Sequence, residues 1–302
     1  MSTSTLQQAP TPATQAQRRV VHRTLGRGHG PITRLMSPGD LGQYLKPFVF
    51  LDIFDMDRRG PPGPRMPIHP HSGIATVTVL TQGALNFEDP DAGTGTLGYG
   101  GVEWMRASAG VWHGQETSPA DVPRIQGFQL WVALPPELEN AQPQSRYIEA
   151  RDMRRAGPAH VIVGEYEGVR SPVPAWDGLN YLLVTLRAGE AWTYQPPAGH
   201  TVGWLAMASG TLDAGTALTG GEMAVFEPGE QPIALANSGD EDAVFVLGSA
   251  VPHAHELHLG NYSVHTSAQA LAAGERRIGE LYEKMQAAGD RRTASGAIPV
   301  YR

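Results

Sequence analysis

Short apolar stretches follow one another between residues 47 and 134. Each is rich in Val, Leu, Thr or aromatic residues and is bounded by Gly, Pro or acidic residues. This pattern is typical of β-strands joined by tight turns. The predicted strands are Pro47–Asp52, Ile74–Leu80, Leu85–Glu88, Gly101–Ala107 and Gly127–Leu134.

A second series of strand-like segments follows the interruption at Pro135, Pro136 and Glu137. The series ends in one segment, Ser267–Ala288, where apolar residues recur at helical spacing and predict an amphipathic helix. The predicted strands of this series are Ala159–Glu165, Tyr181–Leu186, Val202–Met207, Met223–Phe226 and Ala243–Gly248.

The two series resemble each other. Residues 71–85 match residues 198–212 as a strand, a Gly turn and a new strand, and residues 100–110 match residues 220–229 around a Gly-Gly turn. Two diverged copies of one β-barrel unit explain both matches. At 302 residues, the chain also exceeds the usual size of a single hydrophobic core.

We therefore predict an all-β fold of two tandem antiparallel barrels with a C-terminal helix. The predicted divisions are a tail over 1–17, a first barrel over 18–147, a second barrel with the terminal helix over 148–288, and a tail over 289–302. The 36 Gly and 25 Pro residues agree with many turns and few long helices.

Composition narrows the function classes. The N-terminus lacks the basic and apolar regions of a secretory signal, and no stretch approaches the ~18 apolar residues of a membrane span. We therefore predict a cytoplasmic protein without membrane contact. The net charge of −7 argues against direct binding of nucleic acid. Because the chain has no cysteine, any metal ligand must offer nitrogen or oxygen.

The candidate chemistry lies in three histidines of the first series. His69 and His71 stand two residues apart, so extended backbone turns both imidazoles to one face. His113 follows a Gly-rich turn and can supply a third ligand from a neighbouring strand. Three imidazoles, one oxygen ligand and an open position suit Fe(II), Mn, Co, Ni, Cu or Zn, and this ligand set does not choose among them.

Four motifs stand out in the first series, namely Pro70–Leu80, Glu103–Met105, Ala109–His113 and Leu130–Pro135. They resemble motifs of the pirin family. The resemblance extends from about residue 18 to residue 288 and is most specific in the first series. It implies a jelly-roll bicupin fold with one metal in the N-terminal barrel. It further implies quercetin 2,3-dioxygenase activity, as in several members, or a role as an iron-sensing transcriptional co-regulator, as in others.

Carried over by residue, the resemblance implies His69, His71 and His113 as ligands and places the fourth at Gln115, where the family normally has Glu. Strand alternation puts Gln115 rather than Glu116 on the face of His113, so coordination by Glu116 requires a bulge. Gln115 and Glu116 are the candidate catalytic residues. An amide cannot act as a general base, which leaves Glu116 as the alternative ligand or base.

The second copy lacks this ligand set. Aligning Gly83 with Gly210 places Pro196 and Ala198 where the first copy has His69 and His71. Aligning the later Gly turns places Pro232 opposite His113. We predict that the second barrel acts as a lid and packing partner.

The leading hypothesis is a metal-dependent dioxygenase for a flavonol or another small phenolic substrate, with Fe(II) as the favoured ion. The alternative is a non-catalytic module that senses metal or redox state and binds a protein partner such as a transcription regulator. A third possibility is a metal-free scaffold whose histidines bond one another. The resemblance favours a monomer.

Overall fold

The computed structural model describes residues 17–59, 67–89, 92–114, 116–289 and 300–302. The first half contains a short helix, α1 (Gly42–Leu45), with strands before and after it along the chain. Its strands are β1 (Val20–Thr24), β2 (Arg27–His29), β3 (Ile32–Met36), β4 (Phe48–Asp57), β5 (His69–His71), β6 (Ile74–Gln82), β7 (Leu85–Asp89), β8 (Gly93–Leu97), β9 (Val102–Arg106), β10 (Val111–His113), β11 (Thr117–Pro119), β12 (Arg124–Ala133) and β13 (Gln144–Ile148).

The second half follows a 3-10 turn at Ala150–Asp152 and ends in helix α2 (Ala268–Ala288). Its strands are β14 (Arg155–Ala156), β15 (Ala159–Val163), β16 (Glu165–Tyr166), β17 (Val169–Arg170), β18 (Leu179–Leu186), β19 (Ala191–Tyr194), β20 (Val202–Ser209), β21 (Thr211–Asp213), β22 (Ala217–Thr219), β23 (Met223–Phe226), β24 (Ile233–Asn237), β25 (Ala243–Ala250), β26 (His258–Gly260) and β27 (Ser263–His265).

Each half is built on a seven-stranded sheet. The order is β13-β9-β6-β12-β4-β3-β2 in the first half and β1-β23-β20-β25-β18-β15-β14 in the second, with antiparallel pairing. Smaller sheets accompany them, namely β11-β7-β8 and β10-β5 in the first half and β19-β24-β21-β22 in the second. The all-β prediction with tandem antiparallel units and a terminal helix is confirmed.

Strand β1 does not pair within the half that it precedes. It lies along β23, with Thr24 opposite Met223, and so extends the sheet of the second half. The predicted division at residue 147 therefore separates the two sequence repeats but not the two sheets, because β1 belongs to the sheet of the second half. As a domain boundary, residue 147 stays a prediction. The predicted tails fall largely on residues outside the described ranges.

The two halves share their largest apolar core. Phe48 of β4 meets Trp204 of β20 edge to face, with ring centroids 5.4 Å apart, and Trp104 of β9 lies in the same cluster. All three side chains are fully buried. Burying a large apolar side chain contributes about 1.5–3 kcal/mol, so this shared core fixes one half against the other.

Every strand predicted from the apolar pattern is present: Met223–Phe226 has the predicted bounds, Ala159–Glu165 is divided into β15 and β16, and the others are shifted at one or both ends. Many shorter strands, β5 and β10 among them, are not among the strands predicted from that pattern. Their few residues are too short to show an alternating pattern. The predicted helix begins one residue later than expected, because Ser267 is its N-cap and its Oγ accepts a hydrogen bond from the Ala270 amide (3.1 Å). No helix of the described chain is long and apolar enough to cross a membrane.

Candidate metal centre

The three predicted histidines lie on two paired strands. Strands β5 and β10 run antiparallel, with His69 opposite His113 and His71 opposite Val111. Alternation along β5 gives His69 and His71 the same face, and the register adds His113 to that face. His113 therefore lies on the strand next to that of His69 and His71, and its role as the third ligand stays a prediction.

These imidazoles converge on one point. One nitrogen from each ring can be chosen so that all three atoms lie within 4.8 Å of one another. The ring centroids are 4.8 Å apart for His69 and His71, 4.6 Å for His69 and His113, and 5.1 Å for His71 and His113. His71 and His113 are buried and His69 is partly exposed, so the cluster has one open side.

Hydrogen bonds at Nδ1 fix the tautomer of each ring. Carbonyl and carboxylate oxygens only accept hydrogen bonds, so in each neutral ring the bonded Nδ1 carries the proton and Nε2 keeps its lone pair. Among the described residues, the buried His113 Nε2 has no hydrogen-bond partner. This is the arrangement of metal-binding histidines. The bonds run from His69 to the Pro67 carbonyl (2.9 Å), from His71 to the Tyr262 carbonyl (3.0 Å) and from His113 to Glu116 Oε1 (2.6 Å).

Burial keeps two of the rings neutral. It lowers the pKa of His69 to about 4, with a further contribution from His113, and holds the pKa of His71 well below its usual value. Burial also lowers the pKa of His113, but the adjacent Glu116 carboxylate more than offsets this and leaves that pKa raised. A neutral imidazole is the form that binds a metal.

Glu116 contacts the outer nitrogen of His113. Its Oε1 accepts from His113 Nδ1 and its Oε2 accepts from the Gly114 amide (2.7 Å). Burial acts to raise the pKa of Glu116, but His113 and these bonds hold it at about 2. Strand β10 ends at His113 and Gly114 has a φ of 139°, so strand alternation does not continue to Glu116. Gln115 lies outside the described residues, and its role as fourth ligand stays a prediction.

Glu103 is a residue to which the sequence reasoning gave no role. Its carboxylate lies in a second buried cluster with His113 and Glu116 and accepts a hydrogen bond from Thr78 Oγ1 (2.8 Å). Burial and the negative charge of Glu116 raise the pKa of Glu103 to about 7. The available signal was a lone carboxylate inside a strand whose neighbours are apolar.

A hairpin from the far end of the chain completes the surroundings of the centre. Strands β26 and β27 place Ser263 beside Ser72, with hydroxyl oxygens 3.0 Å apart. The His265 Nε2 lies 3.0 Å from the Ser72 hydroxyl. Glu139 accepts from both the amide and the hydroxyl of Thr266, each at 2.7 Å. The surroundings of the histidine cluster therefore include residues after 257.

Comparisons with known proteins agree with this architecture. The family model described as Pirin matches residues 31–132. A pirin-like protein of Caulobacter vibrioides is 36% identical over 178 residues, which cover 56% of this chain and 62% of that protein, less than two thirds of its length. A second pirin-like protein of the same organism is 31% identical over 213 residues, covering 67% of this chain and 73% of that protein. The chain belongs to the pirin family.

Solved pirin-like structures share the fold. A quercetin 2,3-dioxygenase from Acinetobacter baumannii has a TM-score of 0.75 and 25% identity to this pirin-family chain, over 88% of this chain and 98% of that one. The bicupin fold expected from the resemblance is thereby confirmed.

The described residues of the second half of this pirin-family chain offer no matching ligand set. Within the described ranges, groups of three or more side chains able to hold a metal occur only among His69, His71, His113, Glu103 and Glu116. Pro196, Ala198 and Pro232, at the corresponding sequence positions, cannot coordinate a metal through their side chains.

Proposed function

We propose that this pirin-family protein is a metal-dependent dioxygenase for a planar phenolic molecule of the flavonol type. The observation that carries the proposal is the set of three imidazoles whose Nδ1 atoms are all bonded outward, while the buried Nε2 of His113 has no partner among the described residues. The structural similarity to a quercetin 2,3-dioxygenase supports the same reaction class.

The Nε2 atoms of His69, His71 and His113 would hold the ion. Imidazole nitrogens suit Fe(II), Mn, Co, Ni, Cu and Zn, and we favour Fe(II). When bound, a redox-active ion of this kind supplies a site for the phenolic oxyanion and couples its oxidation to dioxygen. Gln115 is proposed as the fourth ligand through its side-chain oxygen.

The other side chains orient the ligands and restrict water. The Glu116 carboxylate holds the Nδ1 proton of His113 and fixes the direction of Nε2. Because both its oxygens already accept hydrogen bonds, we propose Glu116 as a positioning residue rather than a ligand. The Trp131 ring packs edge-on against His71, with centroids 4.9 Å apart, and shields that imidazole from solvent.

The test is aerobic turnover of quercetin by protein loaded separately with Fe(II), Mn, Co, Ni, Cu and Zn. Since both atoms of dioxygen enter the product of a dioxygenase, no added reductant is needed. We expect equimolar loss of quercetin and dioxygen, and both oxygen atoms of labelled dioxygen in the product. His71→Ala should abolish turnover, and the exposed His255→Ala is the matched control that should retain it.

Glu116→Gln tests the positioning role. The amide can still contact His113 but carries no charge, and loss of an outer partner of this kind weakens metal binding by about 10–100-fold. Turnover should recover when the variant is saturated with metal. Absence of quercetin turnover in wild type carrying a full complement of each ion would refute the dioxygenase proposal, and metal-dependent capture of a protein partner would then be sought.

A further inference from the structure

Tyr262 has a backbone conformation that is unusual for its residue type. It occupies the two-residue turn between β26 and β27 and has a φ of 57°. This left-handed region is sterically costly for a residue with a Cβ atom, and turn positions with positive φ favour Gly or Asn. A bulky residue held in such a conformation indicates that its side chain or backbone has a local role.

The backbone role is already clear, and it does not explain the side chain. The Tyr262 carbonyl accepts the Nδ1 proton of His71 (3.0 Å). Gly at this position would offer the same carbonyl without the steric cost. A tyrosine here therefore requires a second explanation, which concerns the aromatic ring.

The ring lies at the rim of the histidine cluster. Its centroid is 5.5 Å from that of His69, 6.0 Å from that of His71 and 6.3 Å from that of Trp131. Tyr262 is 49% exposed, so its ring contacts the cluster while part of it remains open to a ligand.

The aromatic environment continues beneath His71. Trp131 stacks on Phe50 with centroids 4.0 Å apart and an interplanar angle of 7°, and the Arg34 guanidinium lies 3.9 Å above the Phe50 ring. Trp131 and Phe50 are buried. Trp131 packs against His71 and Phe50 packs against Trp131, whereas Tyr262 presents an accessible aromatic surface.

We propose that Tyr262 is a specificity-determining residue that stacks on a planar aromatic ring placed at the histidine cluster. The inference rests on the proposed function, since it needs a ligand held at that cluster. Aromatic stacking is directional and adds up to about tenfold in affinity beyond the area that it buries. The ring therefore selects aromatic oxygen ligands over aliphatic ones.

The experiment compares Tyr262→Gly, which keeps the carbonyl and removes the ring, with Tyr262→Phe, which keeps the ring. The probes are quercetin and acetylacetone, a metal-chelating oxygen ligand without an aromatic ring. Affinities are measured by calorimetry without turnover, in the absence of dioxygen, together with metal content and Tm. Glu167→Gly is the matched control, because Glu167 also has a positive φ (48°) but lies in the turn between β16 and β17.

We expect Tyr262→Gly to weaken quercetin binding by about tenfold while acetylacetone binding, metal content and Tm stay at or above the wild-type level. Tyr262→Phe should restore quercetin binding, and Glu167→Gly should leave both probes unaffected. Unchanged quercetin binding in Tyr262→Gly overturns the inference, as does equal weakening of both probes or loss of metal. Failure of the wild type to bind metal overturns the proposed function itself, which separates the two results.

Discussion

Buried histidines occur in both halves, but their surroundings differ. In the first half, the Nδ1 atoms of His69, His71 and His113 are bonded outward and a buried Nε2 has no described partner. In the second half, His200 is also buried and its Nδ1 also has a partner, the Ser249 hydroxyl at 3.0 Å, but it belongs to none of the groups of potential metal ligands found among the described residues. Burial alone does not distinguish a metal site from a satisfied core.

One buried polar cluster of the second half is satisfied without a ligand. The amide nitrogen of Asn180 donates to the Tyr194 hydroxyl (3.3 Å), and the Tyr194 hydroxyl lies 2.5 Å from that of Ser249, the partner of His200. Each of these four side chains has a partner, which offsets the cost of burying it. In the first half, the buried His113 Nε2 has no partner among the described residues, and a metal would satisfy its lone pair.

The largest expected effect is on metal content. His69→Ala/His71→Ala removes two of three converging nitrogens, so metal affinity should fall by far more than the roughly 100-fold seen when only an outer partner is lost. His200→Ala, in the second half, should leave metal content unchanged. Elemental analysis of protein purified without an affinity tag checks both. Metal retained by the double variant, or lost from His200→Ala, would remove the distinction between the halves.

The next effect concerns stability. Gly73 has a φ of 71°, and a Cβ there would lie 2.1 Å from the Val264 carbonyl oxygen of the C-terminal hairpin. Gly199 has a φ of 81°, but the nearest atom to its Cβ would be Val251 Cγ2 at 3.3 Å.

Gly73→Ala should therefore lower the free energy of unfolding by about 4 kcal/mol, because backbone overlap adds to strain. Gly199→Ala should cost only the strain, about 1–2 kcal/mol. Denaturant titration measures both values. Equal costs would show that the hairpin yields easily and does not hold the centre rigidly.

The smallest effect appears in acid. Burial, with help from the Arg155 charge, lowers the pKa of His160 to about 4. In the unfolded chain this imidazole has a pKa of about 6.5, so below that pH the unfolded chain binds a proton that the folded protein does not yet bind. Stability should fall by up to about 3 kcal/mol as the pH drops from about 6.5 to about 4.

His160→Gln should lack this part of the acid dependence and should match the wild type in slope above pH ~7, where neither state protonates the imidazole. Equilibrium unfolding at several pH values provides the measurement. An acid dependence identical in both proteins would show that a group other than His160 determines how acid lowers the stability.

The sequence by itself determined the fold class and three residues of the candidate site. Long strands such as β4, β6 and β12 carry enough apolar residues to show their pattern, and the helix shows its spacing. His69 and His71 were predictable because alternation in extended backbone is a local property.

Tertiary structure alone decided what surrounds those histidines. The partner of His71 is a carbonyl 191 residues away, and β1 joins a sheet built almost entirely from residues after 154. The path of the chain after His113 brings Glu116 to Nδ1, because the strand ends where alternation was expected to continue. Contacts of this kind depend on where distant segments meet and on where strands stop, and neither is encoded in the local pattern of apolar and polar residues.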